Sequence, residues 1–267
     1  MGKLANLALD SLPTFKCLVP SLGKMITLRS FVTKEQKLLM IAKQSEGDDQ
    51  LDNIVNAVTQ LIQNCVTSGD INIGELPSFD LEYIYIQLHM HSTGTTQSKS
   101  FYLCKAPVLD DEGNQTLNEN QEPITCDQAN GVVVSLKEAK VATSEISKGI
   151  IEVKSATIEK LILKYPNFEQ ITRHDVGIAE DDIDATMAVY AECMTYLYKA
   201  DGSVLKYGED YEADDALEFL ELMPQTVFDE VIAFFTNIPS VSGHADFTCR
   251  KCGHHAKIEL RGLQDFF

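Results

Sequence analysis

The residues best suited to chemistry stand near the end of the chain, in Cys249-Arg-Lys-Cys252-Gly253-His254-His255. Flanked by β-prone stretches, a Cys-x-x-Cys-Gly turn brings two sulfurs to one side, with the glycine supplying the tight backbone. This is a zinc knuckle, and it provides half of the four ligands that a structural zinc requires. Cys104 and Cys126 are the candidates for the other half. One ends a predicted strand and the other stands just before a second, and a hairpin brings its two ends together whatever the length of its loop. The expected centre is a tetrahedral zinc held by Cys104, Cys126, Cys249 and Cys252, closed by four thiolates and without an open position for a catalytic water. Two other readings compete with it. In one, His254 or His255 joins the knuckle as a ligand. In the other, Cys104 and Cys126 are ordinary strand cysteines and the knuckle is an empty relic. His89-x-His91 also looks metal-like, but residues two apart do not share a helix face and no third ligand is evident.

The elements that must position these residues follow from periodicity. Phe15–Pro20 and Met25–Phe31 read as a β-hairpin turning at Gly23. Thr33 and Gln36 form a candidate capping box for a helix through Gln44, whose run Leu38–Ala42 is apolar nearly all round and predicts a central position. Leu51, Ile54, Val55, Val58, Leu61, Ile62 and Cys65 make one apolar helical stripe. The stretch 76–91 suits a helix, although Ile84, Ile86, Leu88 and Met90 also alternate as in a strand. Ser78 is its candidate cap, with Asp80 and Glu82 in the first turn. Ser100–Cys104 and Gly131–Leu136 read as strands around a polar, turn-rich insertion. More strands follow around Ile150–Val153 and Ile158–Leu163. Beyond Pro166, Ile183, Met187, Tyr190, Met194 and Leu197 predict one long helix, Leu217–Leu222 a short one, and Val227, Val231, Phe234 and Phe235 the core face of a last helix opened by Pro224. No repeat of 20–50 residues is present.

These elements divide the chain into residues 1–95 (hairpin and helices), 96–170 (β-rich, with an inserted loop at 105–125) and 171–267 (helical, with the Cys-x-x-Cys ribbon). The fold class is α+β: an N-terminal β-hairpin plus helices, a β-rich middle, and a helical C-terminal half ending in a zinc-ribbon-like knuckle.

Composition narrows the function. The 267 residues are 44% hydrophobic, enough for one large core or two smaller ones. Seven cysteines, an odd number, and no secretory signal argue against a disulfide framework. Cys65 and Cys193 fall on apolar helix faces and read as buried small hydrophobes. No apolar run reaches the ~20 residues of a membrane span. Asp10 breaks the N-terminal stretch and Asn6 replaces a myristoylation Ser or Thr, so the expected location is a cytosol. Net charge is −18, with residues 1–43 at +5 and the rest at −23, which disfavours nucleic-acid partners and suits solubility or steering of a basic protein partner. The carboxylate runs Glu180–Asp182 and Glu212–Asp215 precede helices and suit their dipoles. The EF-hand, phosphate-loop, Gly-x-Gly-x-x-Gly and Gly-x-Ser-x-Gly patterns are absent, and nothing in the sequence asks for an enzyme.

Four segments together resemble the baseplate hub assembly and hub subunit proteins of contractile-tailed, T-even-type bacteriophages. They are Leu18–Lys24 running into Arg29–Leu39; Leu76–Tyr83 leading to Gln87-Leu88 and Ser92-x-Gly94; the cysteine-ended hairpin entering Val132–Leu136; and Phe234-Phe235, Pro239, the knuckle and the terminal Gly262-Leu-x-Asp-Phe-Phe267. Residues 105–125 depart from the family as an insertion.

The resemblance implies phage tail morphogenesis without catalysis: an assembly chaperone of the baseplate hub acting with the tape-measure protein in the host cytoplasm. Alternatives are a permanent hub subunit in the virion baseplate or, from another class, a zinc-ribbon regulator. The implied partners are the tape-measure protein, hub proteins and a second copy of the chain, with no nucleic acid and no membrane. Phe266 and Phe267 either pack on their own ribbon or insert into a partner.

Overall fold

A computed structural model describes residues 9, 11–44, 50–110, 112–174 and 182–261. In chain order the elements are β1 (Thr14–Val19), β2 (Lys24–Arg29), α1 (Thr33–Gln44), α2 (Gln50–Cys65), β3 (Val66–Ser68), α3 (Ser78–Thr93), β4 (Gln97–Leu103), β5 (Ala129–Ser135), β6 (Lys140–Val141), β7 (Ile150–Glu152), β8 (Ile158–Leu163), α4 (Phe168–Arg173), α5 (Ile183–Glu192), β9 (Met194–Lys199), β10 (Val204–Lys206), α6 (Ala213–Glu221), α7 (Gln225–Thr236), β11 (Val241–Thr248) and β12 (His255–Arg261). All strand pairs are antiparallel, in sheets ordered β1-β2-β3, β10-β9-β8-β7, β12-β11-β6 and β4-β5. The class is α+β.

Packing follows two compact units, each built from two chain segments. The first comprises residues 1–85 and 142–239, the second residues 86–141 and 240–267. This partition cuts across the division of the sequence at 95 and 170.

In the first unit the β1–β2 hairpin turns through Gly23 in the left-handed region, at φ 60°. α2 buries Val55, Val58, Leu61, Ile62 and Cys65, the stripe its spacing predicts. α7 likewise buries Val227, Val231, Phe234 and Phe235. Tyr165 stacks on Phe234 at a centroid distance of 4.6 Å, and Tyr190 on Phe235 at 4.1 Å.

Several expectations need correction. The C-terminal half is not helical throughout, because it holds β9–β12 beside α4–α7. The predicted long helix from Ile183 stops at Glu192, and Met194 and Leu197 lie in strand β9. The cap of α1 is not the Thr33–Gln36 pair: the Val32 amide donates to Glu35 Oε2 at 2.9 Å, and Arg29 holds the same carboxylate. Nor is α1 central, since Leu39 and Ala42 are buried while Met40 and Ile41 are more than half exposed. The stretch 76–91 is helical, as α3. Its opening turn is closed by the Pro77 carbonyl, which accepts from the Asp80 and Leu81 amides. Of the carboxylate runs, Glu180 and Asp181 lie outside the described residues, Asp182 caps α5 through the Ala185 amide, and Asp215 accepts the Glu212 amide ahead of α6.

Asp80 has a further role. It is fully buried, and its carboxylate accepts the Ser21 amide at 2.9 Å and the Ser21 hydroxyl, tying α3 to the β1–β2 turn. Burial pushes its pKa above the ordinary carboxylate range, and the Ser21 bonds pull it part of the way back. The folded chain therefore keeps a proton that the unfolded chain releases. The associated stability is full below the ordinary carboxylate pKa and is lost as pH rises through the folded value. Asp80→Asn keeps an acceptor for the Ser21 amide and cannot ionise. Urea midpoints of this variant should show that decline flattened, with equal or greater stability at neutral pH. A pH profile identical to that of the parent would contradict the assignment.

Candidate metal centre

The second unit holds all four expected ligands. β4 and β5 pair in one register, from Gln97↔Ser135 to Leu103↔Ala129. The ladder continues past the strand ends: the Cys104 amide donates to the Gln128 carbonyl at 3.0 Å, Cys126 to Ala106 at 2.9 Å and Val108 to Ile124 at 2.9 Å. Cys104 and Cys126, 22 positions apart in sequence, are thus near neighbours across one ribbon. Asp127, beside Cys126, has φ 49° and donates its amide to the Cys104 carbonyl at 2.9 Å.

The loop they enclose is ordered by a short internal repeat. Val108, Thr116 and Ile124 recur at eight-residue spacing and hydrogen-bond in a ring: Val108 N–H to the Ile124 carbonyl, Ile124 to Thr116, and Thr116 to Val108. Asp110, Asn118 and Cys126 share that spacing. Asp110 Oδ1 accepts the Glu112 amide and Asn118 Oδ1 the Asn120 amide, and the Cys126 sulfur accepts the Gln128 amide in the same i+2 relation.

The knuckle turns between β11 and β12, paired from Ser242↔Arg261 to Thr248↔His255. The Cys249 amide donates to the His254 carbonyl at 2.8 Å, and the Gly253 amide, at φ 71°, returns to the Cys249 carbonyl at 3.0 Å. The turn is docked by Asn130 of β5, which is 3% exposed. Its Oδ1 accepts the Arg250 amide at 3.0 Å, and its Nδ2 donates to the Gln128 carbonyl at 2.8 Å. One side chain therefore joins the knuckle to the strand beside Cys126. Tyr102 of β4 packs on Phe247 of β11 at 5.1 Å.

The result is a cluster of four thiols. Cys104 Sγ lies 3.7 Å from Cys252 Sγ and Cys126 Sγ 3.8 Å from Cys249 Sγ, and all four sulfurs fall within 4.8 Å of one another. Zn–S bonds of about 2.3 Å in a tetrahedron place sulfurs ~3.8 Å apart, so the donor set fits a tetrahedral thiolate-loving ion. A disulfide at about 2.05 Å is excluded at these separations. Cys104, Cys126 and Cys249 are buried, and Cys252 is exposed.

The four sulfurs sit in unlike electrostatic surroundings. The Cys249 thiol is lowered to about 6, led by the Cys252 amide donating to its sulfur, with burial opposing and the Lys251 amide and Asn130 side chain adding. Burial pushes Cys104 up to about 12 against the Ala106 amide. The Gln128 amide pulls Cys126 down, but burial and the neighbouring sulfurs leave it raised. Four thiolates cannot coexist here on amide bonds alone, whereas a divalent ion would deprotonate all four.

The competing histidine ligands stand outside the cluster. His255 Nδ1 pairs with Thr248 Oγ1 at 2.9 Å, and the His254 ring lies against Phe247. His89 and His91 are on α3 and belong to no metal-capable group among the described residues. Phe266 and Phe267 lie outside the described residues. Asn130 escaped the sequence reading, because a lone strand asparagine carries no spacing signal. The eight-residue period was open to view in 108–126.

No curated protein and no solved structure matches the chain. A family model described as T4 bacteriophage base plate protein matches residues 12–267. Since that match runs over nearly the whole sequence, the chain belongs to the T4 bacteriophage base plate protein family.

Proposed function

We propose that the protein is a non-catalytic assembly factor of the phage baseplate hub, binding the tape-measure protein and hub proteins in the host cytoplasm before the tube grows. The observation that carries the baseplate part of this reading is the family match over residues 12–267. The four-thiol cluster supports the non-catalytic part: we assign it a structural zinc, since four sulfurs leave a metal no open position for substrate. The acidic balance of −18 speaks for a protein partner over nucleic acid and against a zinc-ribbon regulator. No helix among the described residues is long and apolar enough to cross a membrane.

A second reading, a permanent subunit of the baseplate, is favoured by the family's own description as a base plate protein. One experiment separates the two: affinity capture from infected cells, run beside a proteomic count of finished particles. The assembly reading expects capture of the tape-measure protein and absence from particles. A fixed, symmetric copy number in particles would replace it with the subunit reading. A chain that captures no tail protein and is missing from particles would remove both.

A further inference from the structure

The outer edge of β4 is open. In an antiparallel pair, alternate residues turn their backbone groups toward the partner strand. The bonds that extend the β4–β5 ladder at both ends, Leu136 N–H to Thr96 O and Cys104 N–H to Gln128 O, involve even-numbered residues of the first strand. Gln97, Lys99, Phe101 and Leu103 therefore direct their N–H and C=O groups away from β5, and β4 pairs with no other strand among the described residues. The side chains of the same residues form the exposed face. Phe101 is 84% exposed, Leu103 48%, and Val133, opposite Lys99, 52%. Gly131 opposes Phe101 and has open space above it.

Such edges are ordinarily blunted by shortness, charge or proline. Several other edges among the described residues follow that rule, although β5, with seven residues and no charge, pairs with no strand on its far side either. β3, β7 and β10 have three residues each. β12 sets Lys257 and Glu259 along one alternating row, and β1, with the single charge Lys16, exposes no large apolar side chain. β4 is seven residues long with one charge, Lys99. Its first proline, Pro107, lies beyond the cysteine, where it removes the next outward N–H but one.

Charge identifies the occupant. A strand added to β4 and running past Leu103 meets the hairpin 107–125, whose exposed Asp110, Glu112, Glu119 and Glu122 have no basic residue among them. A second copy of β4 fits poorly: antiparallel self-pairing about Phe101 sets Lys99 against Leu103 and brings residues 95–97, which carry no charge, to the acidic end.

We propose that the edge of β4 docks an extended segment of a partner protein as a third strand, with apolar side chains at alternate positions over Phe101, Leu103 and Val133 and a lysine or arginine at the acidic hairpin. The proposal rests on the protein-binding reading above for the existence of a partner.

The test uses the full-length, metal-replete chain and amide hydrogen exchange. The probe is a strand-length synthetic peptide of alternating valine and threonine ending in lysines, compared with a version ending in glutamates and with a peptide copying residues 97–105. The lysine peptide should slow exchange of the Lys99, Phe101 and Leu103 amides by about tenfold or more, and the glutamate version should not. Phe101→Pro removes an outward N–H that the β4–β5 ladder does not use, so it should abolish the effect while keeping the thermal midpoint. Phe101→Lys, which keeps the N–H and removes the apolar anchor, should weaken it and serves if the proline variant fails to fold. Unslowed exchange, equal slowing by the glutamate peptide, or equal slowing in both variants would overturn the proposal. Stronger protection by the 97–105 peptide would also overturn it, making the edge an interface between copies. Capture of tail proteins from infected cells by Phe101→Lys at parental yield would sink the edge alone, and their absence even with the parent chain, together with its absence from finished particles, would sink the baseplate role.

Discussion

Chelation of the purified protein is expected to strip amide protection from β4, β5, β11 and β12 while β8 and β9 keep theirs. The reason lies in what else holds the second unit together. β4–β5 is a two-stranded sheet, and an isolated pair of strands is marginal in water. Packing of β5 on β11 contributes Val132, Val134, Ala245 and Phe247 to a small core. The sulfur cluster joins positions 148 and 123 residues apart, closing long loops at two points. Because the ligands converge only in the folded chain, metal binding is folding energy. Cys249→Ser should therefore cost about 3 kcal/mol or more, visible as a fall of ~10–20 °C in the melting of this unit. Unchanged protection after chelation, or a Cys249→Ser variant that melts with the parent, would show that the β5–β11 core suffices without metal.

The second large effect is expected from Asn130→Asp, a change of one atom. Aspartate can still accept the Arg250 amide but cannot donate to the Gln128 carbonyl, so two oxygens face each other at a site now bonded at 2.8 Å. It also buries a negative charge beside four sulfurs that already repel one another. Removing one outer partner of a metal site typically costs 10–100-fold in affinity, and the buried charge adds several kcal/mol against folding. Competition with a chromophoric chelator should find Asn130→Asp at least ~100-fold weaker for zinc, with Asn130→Ala between it and the parent. Equal affinities would mean that Asn130 merely fills space.

Some of this was legible in the sequence for identifiable reasons. The α2 stripe and the α7 core face obey one period and bury most of the residues that period selects, with Ile54 of α2 half-buried. The cysteine partnership followed from hairpin closure, which constrains the ends of a loop without regard to its contents. The boundary at Cys193 was not legible. Met194 and Leu197 are both buried three positions apart, as on a helix, although they lie in a strand. The register shift opposite Ile162 and Leu163 breaks the two-residue alternation that would have marked β9. Asp80 showed a similar limit. Its place in a first helical turn suggested dipole compensation, and only the tertiary approach of Ser21 reveals a buried anchor. The order of the 108–126 loop was legible in its eight-residue period, Val108, Thr116 and Ile124, but that period is set among polar residues whose composition reads as an irregular insertion.

Native mass spectrometry of the protein purified without chelators tests most directly whether the four sulfurs clamp a metal. A single zinc per chain, lost together with the second unit's exchange protection on acidification, is the predicted result. A metal-free mass, or one lighter by the hydrogens of a disulfide, from protein that keeps that protection would contradict it.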